Sequence, residues 1–493
     1  MVARSCIFRV DASSRIGSGH VMRCLALAEE LRNREVQCKF YCLPLSGHLM
    51  ELIRARGFVV QPLESTPHNG IQSAYELRKL LESEGRAGES LNLVVDHYGI
   101  DHQWESEVRP SVNAILAIDD LADRKHDCNI LLDQNYSSRT GRYRDLIPED
   151  AVFLQGPGYA LLRSEFRAVR TAHTIPGFDL RNVLIFFGGT DPDNYTSIAL
   201  KLLASLGDFA PRVMVGAGHP DIPSVRKALS GFAHQELHVQ SQTVPELMAQ
   251  SSWYFGAGGS ITWERLCMGL PGIAVPVADN QEELVHELSK GGYTLRVDLP
   301  FSAQTLSQQL DRLGKEYGAL QQRGMSLVDG FGASRVSNEL INVNRSIDIR
   351  PATENDLTIL FQWANDSKTR ENAFQSKPIP WSDHVEWFSA RLKSSDSRIF
   401  IFIVDGLPAG QIRFDLKFGE WWIDYGIDRQ YRGQGLAKIL LKCAEAWMKA
   451  TFGHLRLRAE VKAQNSASLK VFEASGYSII SVDGGVASCE KDA

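Results

Sequence analysis

The sequence predicts an α/β protein of two lobes, each built on a parallel sheet, followed by a smaller α+β domain. Three observations carry that expectation. Short apolar runs alternate with helical stretches through the first two thirds of the 493 residues, the pattern of strands covered on both faces by helices. Polar residues and glycines gather where those runs end, which is the edge where open parallel sheets hold ligands. Two breaks interrupt the alternation, and after the second the pattern turns antiparallel.

The first lobe, 1–175, reads as strands at 6–10, 36–42, 58–63, 91–96 and 114–118. Helices are expected at 21–32, 49–56 and 75–83. Thr, His, Pro and Gly break the periodicity at 170–179, and the alternation then restarts. The second lobe, 176–345, reads as strands at 183–187, 210–215, 237–240, 253–255 and 273–277 with helices between. A further break at 342–346 opens the third domain, 347–493. Its pattern is two helices, strands at 398–404, 409–415 and 422–427, a helix at 435–451, a strand at 455–461 and a helix at 466–475. From 482 onward the tail is polar. Each unit has enough apolar sequence for its own core.

Composition narrows the partners. Lysine and arginine number 53 against 59 aspartates and glutamates, a net charge of −6. That balance argues against broad binding to nucleic acid or to an anionic membrane, while leaving room for local phosphate pockets. No apolar run reaches the ~18 residues needed to span a bilayer. The first residues lack the apolar core of a signal peptide. The eight cysteines are scattered and form no Cys-x-x-Cys pair, so they read as small core residues. The expectation is a cytoplasmic protein with reduced thiols. It carries no HEXXH-like run and no carboxylate cluster, so no metal is expected.

The first candidate site is a glycine-rich turn between the first strand and first helix, running from Asp11 through Gly17, Gly19 and His20 to Arg23. Its glycines permit close backbone approach, and the helix start offers unpaired N–H groups. The positive helix end favours a neutral His20, suited to act as a general base. A capping role is the alternative. Two turns of the same kind lie in the second lobe, Phe187–Asp191 with Gly188 and Gly189, and Gly256–Glu264 with Gly258, Gly259 and Ser260. Backbone amides there can cradle a diphosphate. Glu264, about one turn into its helix, can accept from ribose hydroxyls. Asn280 and Gln281 follow the next strand. Asp96, His97, Asp119 and Asp120 end strands of the first lobe. Adjacent Asp119 and Asp120 point oppositely, which argues against a shared task.

These residues resemble the nucleotide-sugar hydrolases of pseudaminic acid biosynthesis. The resemblance runs through Arg9-x-Asp11, Ile16–Cys24, Asp96-His97-Tyr98, Ile118–Asp120 and Asp133–Asn135. It continues in Gly156–Phe166, which contains Arg163, and in Phe187–Asp191 and Asn280-Gln281. The second lobe is also similar to the UDP-GlcNAc transferase that makes lipid II. The resemblance implies the GT-B fold, two Rossmann-like lobes with UDP on the second. It implies hydrolysis of UDP-2,4-diacetamido-2,4,6-trideoxy-β-L-altropyranose in a setting of flagellin glycosylation. His20 is then the water-activating base, and Gly19, Arg163, the two glycine turns, Glu264, Asn280 and Gln281 contact substrate or UDP.

The third domain carries Ile427, Gln430, Arg432, Gly433, Gln434, Gly435 and Ala437 between a strand and a helix. The run fits Gln/Arg-x-x-Gly-x-Gly/Ala, and the domain resembles the GNAT acetyltransferases, whose turn of this kind holds the pyrophosphate of acetyl-CoA. Asn465 and Ser468 follow in register. Arg432 is expected to add a cation. Glu460 is a candidate base for the attacking amine, or a solvated strand-edge carboxylate. Many members carry a tyrosine where Phe472 stands, and its hydroxyl protonates the departing thiolate. Phe472 cannot, so Ser468, Tyr425 or water is left for that role. Trp421 and Trp422 read as core and cleft wall. The joint expectation is acetylation of a UDP-activated amino sugar by acetyl-CoA, then removal of UDP. A glycosyltransferase with an acyltransferase appended, or a non-catalytic sugar-nucleotide sensor, is the alternative.

Overall fold

The computed structural model describes residues 4–64, 70–83, 90–139, 141–172, 177–343 and 345–493. Two compact units divide the chain, Met1–Leu340 and Ile341–Ala493. The breaks expected at 170–179 and 342–346 each lie partly outside the described residues, at 173–176 and 344.

The first unit opens with β1 (Arg4–Val10), α1 (Gly19–Arg32), β2 (Gln37–Cys42), α2 (Met50–Ala55), β3 (Val59–Pro62) and α3 (Gly70–Ser83). It continues with β4 (Ser90–Asp96), α4 (His102–Val108), β5 (Ala114–Ile118), β6 (Ile130–Asp133), β7 (Val152–Gln155) and α5 (Ser164–Ala172). The strand order is β3-β2-β1-β4-β5-β6-β7, and every pairing is parallel. The second lobe follows as β8 (Asn182–Phe186), α6 (Tyr195–Leu206), β9 (Ala210–Val215), α7 (Ile222–Leu229), β10 (Glu236–Val239) and α8 (Val244–Ala249). Then come β11 (Trp253–Ala257), α9 (Ile261–Cys267), β12 (Gly272–Val275), α10 (Asp279–Lys290), β13 (Leu295–Arg296), α11 (Ala303–Leu327) and α12 (Gly332–Asn342). Its sheet, β10-β9-β8-β11-β12-β13, is parallel too. Two Rossmann-like sheets in succession make a GT-B-type pair. In each, the chain reverses direction of winding beside its first strand, β1 against β4 and β8 against β11, and the carboxyl ends there face the site.

The lobes exchange helices, which shifts the limits expected at 175 and 345. Ala160, Leu162 and Phe166 share a core with Leu184, Tyr254 and Trp263 of the second lobe, and α5 packs on α8 and α9. In return α12 lies on the first lobe. Ser334 and Asn338 bond the guanidinium of Arg34 beyond α1, and the Asn92 Nδ2 donates to the Leu340 carbonyl at 3.1 Å. A linear division by sequence cannot anticipate such exchanges.

The second unit contains β14 (Ile347–Pro351), α13 (Leu357–Ala364), α14 (Ser367–Asn372), α15 (Trp381–Lys393), β15 (Ser397–Val404), β16 (Leu407–Lys417) and β17 (Glu420–Ile427). It ends with α16 (Leu436–Phe452), β18 (Arg456–Lys462), α17 (Ser466–Ala474), β19 (Ser478–Asp483) and β20 (Val486–Asp492). The order is β14-β15-β16-β17-β18-β20-β19. Three helices precede β15 where two were expected, and the tail read as merely polar forms a hairpin. Its β20 lies against β18 from Arg456↔Asp492 to Lys462↔Val486. Phe402, Ile412, Leu440, Leu457 and Phe472 fill the core under α16 and α17; Leu360, Phe388 and Ile401 fill the opposite face. β17 and β18 run parallel and pair only at Trp421↔Leu457 and Trp422↔Arg458. Beyond those residues the strands part.

Candidate functional sites

In the first unit α1 starts at Gly19, two residues earlier than expected, which places His20 in its first turn. Residues three apart on a helix share a face. His20 and Arg23 therefore both reach Asp96, at the end of the neighbouring β4. His20 Nδ1 lies 2.6 Å from Asp96 Oδ1. Arg23 donates from Nε to Oδ2 at 2.6 Å and from NH2 to Oδ1 at 2.7 Å. Burial opposes the charged carboxylate, yet Arg23 and then His20 hold the Asp96 carboxyl well below the usual range. With its Nδ1 proton on a carboxylate, His20 keeps the lone pair of Nε2 for another partner. The ring is thus oriented by Asp96, where the sequence reading looked to the helix end. The Tyr98 ring meets His20 edge-on at 4.7 Å, and its hydroxyl donates to Asp120 at 2.9 Å.

Asp119 and Asp120 diverge. Asp119 is buried against Arg124 at 2.7 Å and accepts from Tyr143 at 2.8 Å. Asp120 faces Tyr98 and, at 3.4 Å, Arg23. His97 accepts from the Gly99 amide through Nδ1 at 2.9 Å; burial and the nearby Arg9 push its pKa down to about 4. It stays neutral beside the His20–Asp96 pair.

The second lobe faces this edge. A Cβ added to Gly19 would stand 3.4 Å from the Ser260 hydroxyl, and one on Gly189 would stand 3.9 Å from that of Ser18. Gly188, with φ 109°, has open space where a side chain would project. The Ser260 side chain makes no cap bond to α9. Gln281 belongs to the same turn: its Oε1 accepts from the Val277 amide at 3.2 Å, and its amide nitrogen is 3.6 Å from a Cβ built on Gly259. A Cβ on Gly258 would fall 2.1 Å from Val285 Cγ2, so that glycine serves packing. Asn280 is exposed in the first turn of α10. Burial lifts the Glu264 carboxyl to about 7, and the charge of buried Arg163 opposes the rise. Arg163 and Glu264 are thereby brought together.

One expectation fails. The turn at Gly188–Gly189 does not present a bare helix start, because Asp191 accepts from the Tyr195 and Thr196 amides, both at 2.9 Å. Asn194 takes the Ser197 amide at 3.2 Å. These side chains occupy the place an anion would need at α6.

In the second unit Gly433 and Gly435 both have φ 75°, a left-handed geometry that suits glycine. Gly435 caps α16, and no side chain covers the amides that follow. Leu436 is buried while Ala437 is half-buried beside it. The Gln430 amide donates to Asp428 at 2.8 Å, and Gln434 Nε2 donates to the Gln430 carbonyl at 2.8 Å. Asn342 Nδ2 donates to the Gln434 carbonyl at 2.6 Å. Arg432 departs from expectation. Its guanidinium lies 2.7 Å from Asp366 and donates to the carbonyl of Ile427 at 2.9 Å and to Thr369 at 3.2 Å. It braces the turn and is not a loose cation for a phosphate.

Asn465 caps α17 by accepting from the Ser468 amide at 3.2 Å, and its Nδ2 donates to Ser468 Oγ at 3.1 Å. Burial pushes the Tyr425 phenol above its ordinary value, and nearby Ser468 opposes the rise. Phe472 is buried and meets the Tyr425 ring at 5.5 Å. Trp421 is buried beneath Phe452, at 5.2 Å between rings. Trp421 and Leu457 pair and share one core, so alternation puts Tyr425 on that face and Glu460 on the other. Glu460 is exposed. Trp422, on the face of Glu460, has Lys417 over its ring at 5.2 Å. The parting of β17 from β18 had no signal in the sequence. Nor had the pairing of Asp96 with His20, since strand adjacency is not written in strand order.

Among the described residues no group of three His, Cys, Asp or Glu side chains is arranged to hold a metal ion. No helix among them is long and apolar enough to cross a membrane. All eight cysteines are free thiols.

Residues 347–478 match the acetyltransferase (GNAT) domain family. The chain is 29% identical over 289 residues to the UDP-2,4-diacetamido-2,4,6-trideoxy-beta-L-altropyranose hydrolase of Campylobacter jejuni, covering 58% of this chain and 97% of that protein. It is 22% identical to an uncharacterised protein of Methanocaldococcus jannaschii across 95% of both. The crystal structure of Acinetobacter baumannii MurG aligns at 11% identity with a TM-score of 0.49, over 69% of this chain and 99% of that one. The chain is an enzyme that joins a homologue of this hydrolase to a C-terminal GNAT acetyltransferase domain.

Proposed function

We propose that the chain carries out two consecutive steps of nonulosonic acid biosynthesis: N-acetylation of a UDP-linked 4-amino sugar with acetyl-CoA, then hydrolysis of the acetylated UDP-sugar to UDP and the free sugar. The observation that carries the hydrolytic step is the 2.6 Å contact of His20 with Asp96 at the mouth of the first lobe. Water gives a proton to His20 Nε2 while Asp96 steadies the imidazolium. The resulting hydroxide attacks the anomeric carbon, whose bond to the phosphate oxygen breaks. Charge develops on the departing UDP, and the amides of Gly259 and Ser260 at the start of α9 suit it. Glu264 receives the ribose hydroxyls, with Arg163 beside it. Asn280 and Gln281 flank the same turn, while Gly188 and Gly189 leave room for the sugar nucleotide.

The acetyl step rests on the turn from Gln430 to Ala437. Its backbone amides at the start of α16 suit a pyrophosphate. The gap between β17 and β18 leaves strand N–H and C=O groups available to an extended amide-bearing arm, which acetyl-CoA has. The amine then approaches from the face of Glu460. The test is incubation of the full chain with a UDP-4-amino-4,6-dideoxy sugar and acetyl-CoA, followed by mass spectrometry. An added acetyl group and, without any sugar acceptor, released UDP are expected. UDP release only on addition of an acceptor would establish a glycosyltransferase instead.

A further inference from the structure

Water activation at His20 needs a ring that is neutral before it receives a proton, and the nearest carboxylate works against that. Asp96 stands 2.6 Å from Nδ1 and is buried. A carboxylate alone in that place draws a second proton onto the ring, and an imidazolium cannot take one from water. The structure sets a cation against the same nitrogen. Arg23 NH2 lies 3.2 Å from His20 Nδ1 and donates to Asp96 Oδ1 at 2.7 Å. An ionised carboxylate has no proton to give, so the 2.6 Å contact requires the hydrogen on Nδ1. Oδ1 then accepts from the ring and the guanidinium together, and the two donors sit side by side.

Both charges are fixed. The other oxygen of Asp96 accepts from Arg23 Nε at 2.6 Å and from the Cys24 thiol at 3.6 Å. Burial opposes the charge of Arg23, yet Asp96 and then Asp120, 3.4 Å away, hold its proton more firmly than usual. The remaining groups around the ring carry no charge that offsets Asp96. Tyr98, edge-on to His20, keeps its phenolic proton, because burial and Asp120 push the phenol up. His97, lowered to about 4 by burial and Arg9, is neutral. The second lobe brings only the uncharged Ser260 hydroxyl toward Gly19. The start of α1 adds positive potential of the same sign as Arg23.

We propose that Arg23 is the positioning residue that keeps His20 an unprotonated base: it orients Asp96 through a two-point bond and offsets the pull of Asp96 on the ring with a permanent positive charge. The proposal rests on the hydrolytic reading given above. The step balances. Water gives one proton to Nε2 and its oxygen bonds the anomeric carbon, while the bond from that carbon to the phosphate oxygen breaks and UDP leaves with the electron pair. Repulsion between imidazolium and guanidinium then favours passing the proton to solvent. Arg23 and Asp96 gain and lose none.

The experiment follows UDP release by the full chain from the acetylated UDP-sugar as a function of pH, with UDP calorimetry as the check on folding. Arg23→Met moves the acid limb of the kcat/KM profile up by about 1–2 pH units, so the variant is slow at neutral pH and regains rate as pH rises. Arg23→Lys keeps the charge and loses the two-point bond. Its limb stays near that of wild type while its plateau falls by about tenfold. An arginine that only packed would lower the plateau in both variants and move neither limb. A limb unmoved in Arg23→Met, or moved as far in Arg23→Lys, overturns the proposal and leaves the hydrolytic reading standing. Should Arg23→Met fail to fold, Arg23→Met/Asp96→Asn, which removes both buried charges together, takes its place. Its limb lies about one pH unit above that of Asp96→Asn, and coincidence of the two overturns the proposal. A wild-type chain that releases no UDP overturns the hydrolytic reading and the proposal with it.

Discussion

The two lobes of the first unit share a strand order around their switch points and equip them differently. At the first, charged side chains from three elements bond across β1, β4 and β5: His20 and Arg23 to Asp96, Tyr98 to Asp120. At the second, backbone does the work. A Cβ on Gly256 would stand 1.9 Å from the Phe186 carbonyl oxygen, and one on Gly216 would stand 2.1 Å from that of Gly189. Charged groups there, such as Asp191, cap their own helix. One edge suits moving a proton and the other suits holding a charged leaving group, although the folds match. Under the proposed function, one architecture takes either half of a reaction through the residues at its strand ends.

If that contrast is right, His20→Ala is the most damaging single change. Hydrolysis of the UDP-sugar falls by ~10²–10⁴-fold, while UDP affinity stays near wild type because the proposed nucleotide site is on the other lobe. Kinetics and calorimetry on one preparation check both. A collapse of UDP affinity in step with the rate breaks the division.

The backbone edge is probed by Gly256→Ala. Its methyl group has no room against the Phe186 carbonyl, so the expected cost is about 1–3 kcal/mol of stability, read from chemical unfolding. An unchanged unfolding midpoint would mean that the strand ends are less tightly packed than their backbones indicate.

Glu264 sharpens the comparison through pH. Its carboxyl, lifted to about 7 by burial, is mostly protonated at pH 6 and ionised at pH 8. In the proposed function ribose hydroxyls donate to the ionised form. UDP affinity therefore rises with pH by up to about tenfold per unit below 7 and levels off above it. Glu264→Gln flattens the curve; a wild-type curve already flat from 6 to 8 places the ribose elsewhere.

The smallest effect is expected of Tyr98→Phe, which removes one of the two bonds of Asp120 and leaves Asp96 untouched. About 0.5–1.5 kcal/mol of stability is at stake, with hydrolysis far less affected than in His20→Ala. A rate loss as large as that of His20→Ala would put Tyr98 in contact with the reacting atoms.

Where the sequence spoke clearly, local chemistry was the reason. Apolar runs gave strands at 114–118 and 210–215 with the bounds the structure has, and the glycines of the acetyl-CoA-type turn do hold the left-handed geometry. Short strands escaped notice, because four residues such as Ile130–Asp133 hold too little periodicity to register. The β19–β20 hairpin escaped for a different reason: β19 is exposed throughout, so it carries no buried face to betray it. Partnerships across strands were the least legible. Asp96 stood among the strand-end polar residues of the sequence, yet only the adjacency of β1 and β4 brings it to His20. In the same way, Arg432 looked like a free cation until Asp366, distant in sequence, was seen to hold it.

The parting of β17 from β18 leaves the sheet unfinished in its interior and not at its rim. A rim is open to any extended chain that drifts past, including another protein's strand. A slot flanked by two strands of one sheet is narrower in what it admits: a single slender chain, of bounded length, threaded from one end. Discrimination against stray peptides is thus set by the route of the backbone, before any side chain takes part.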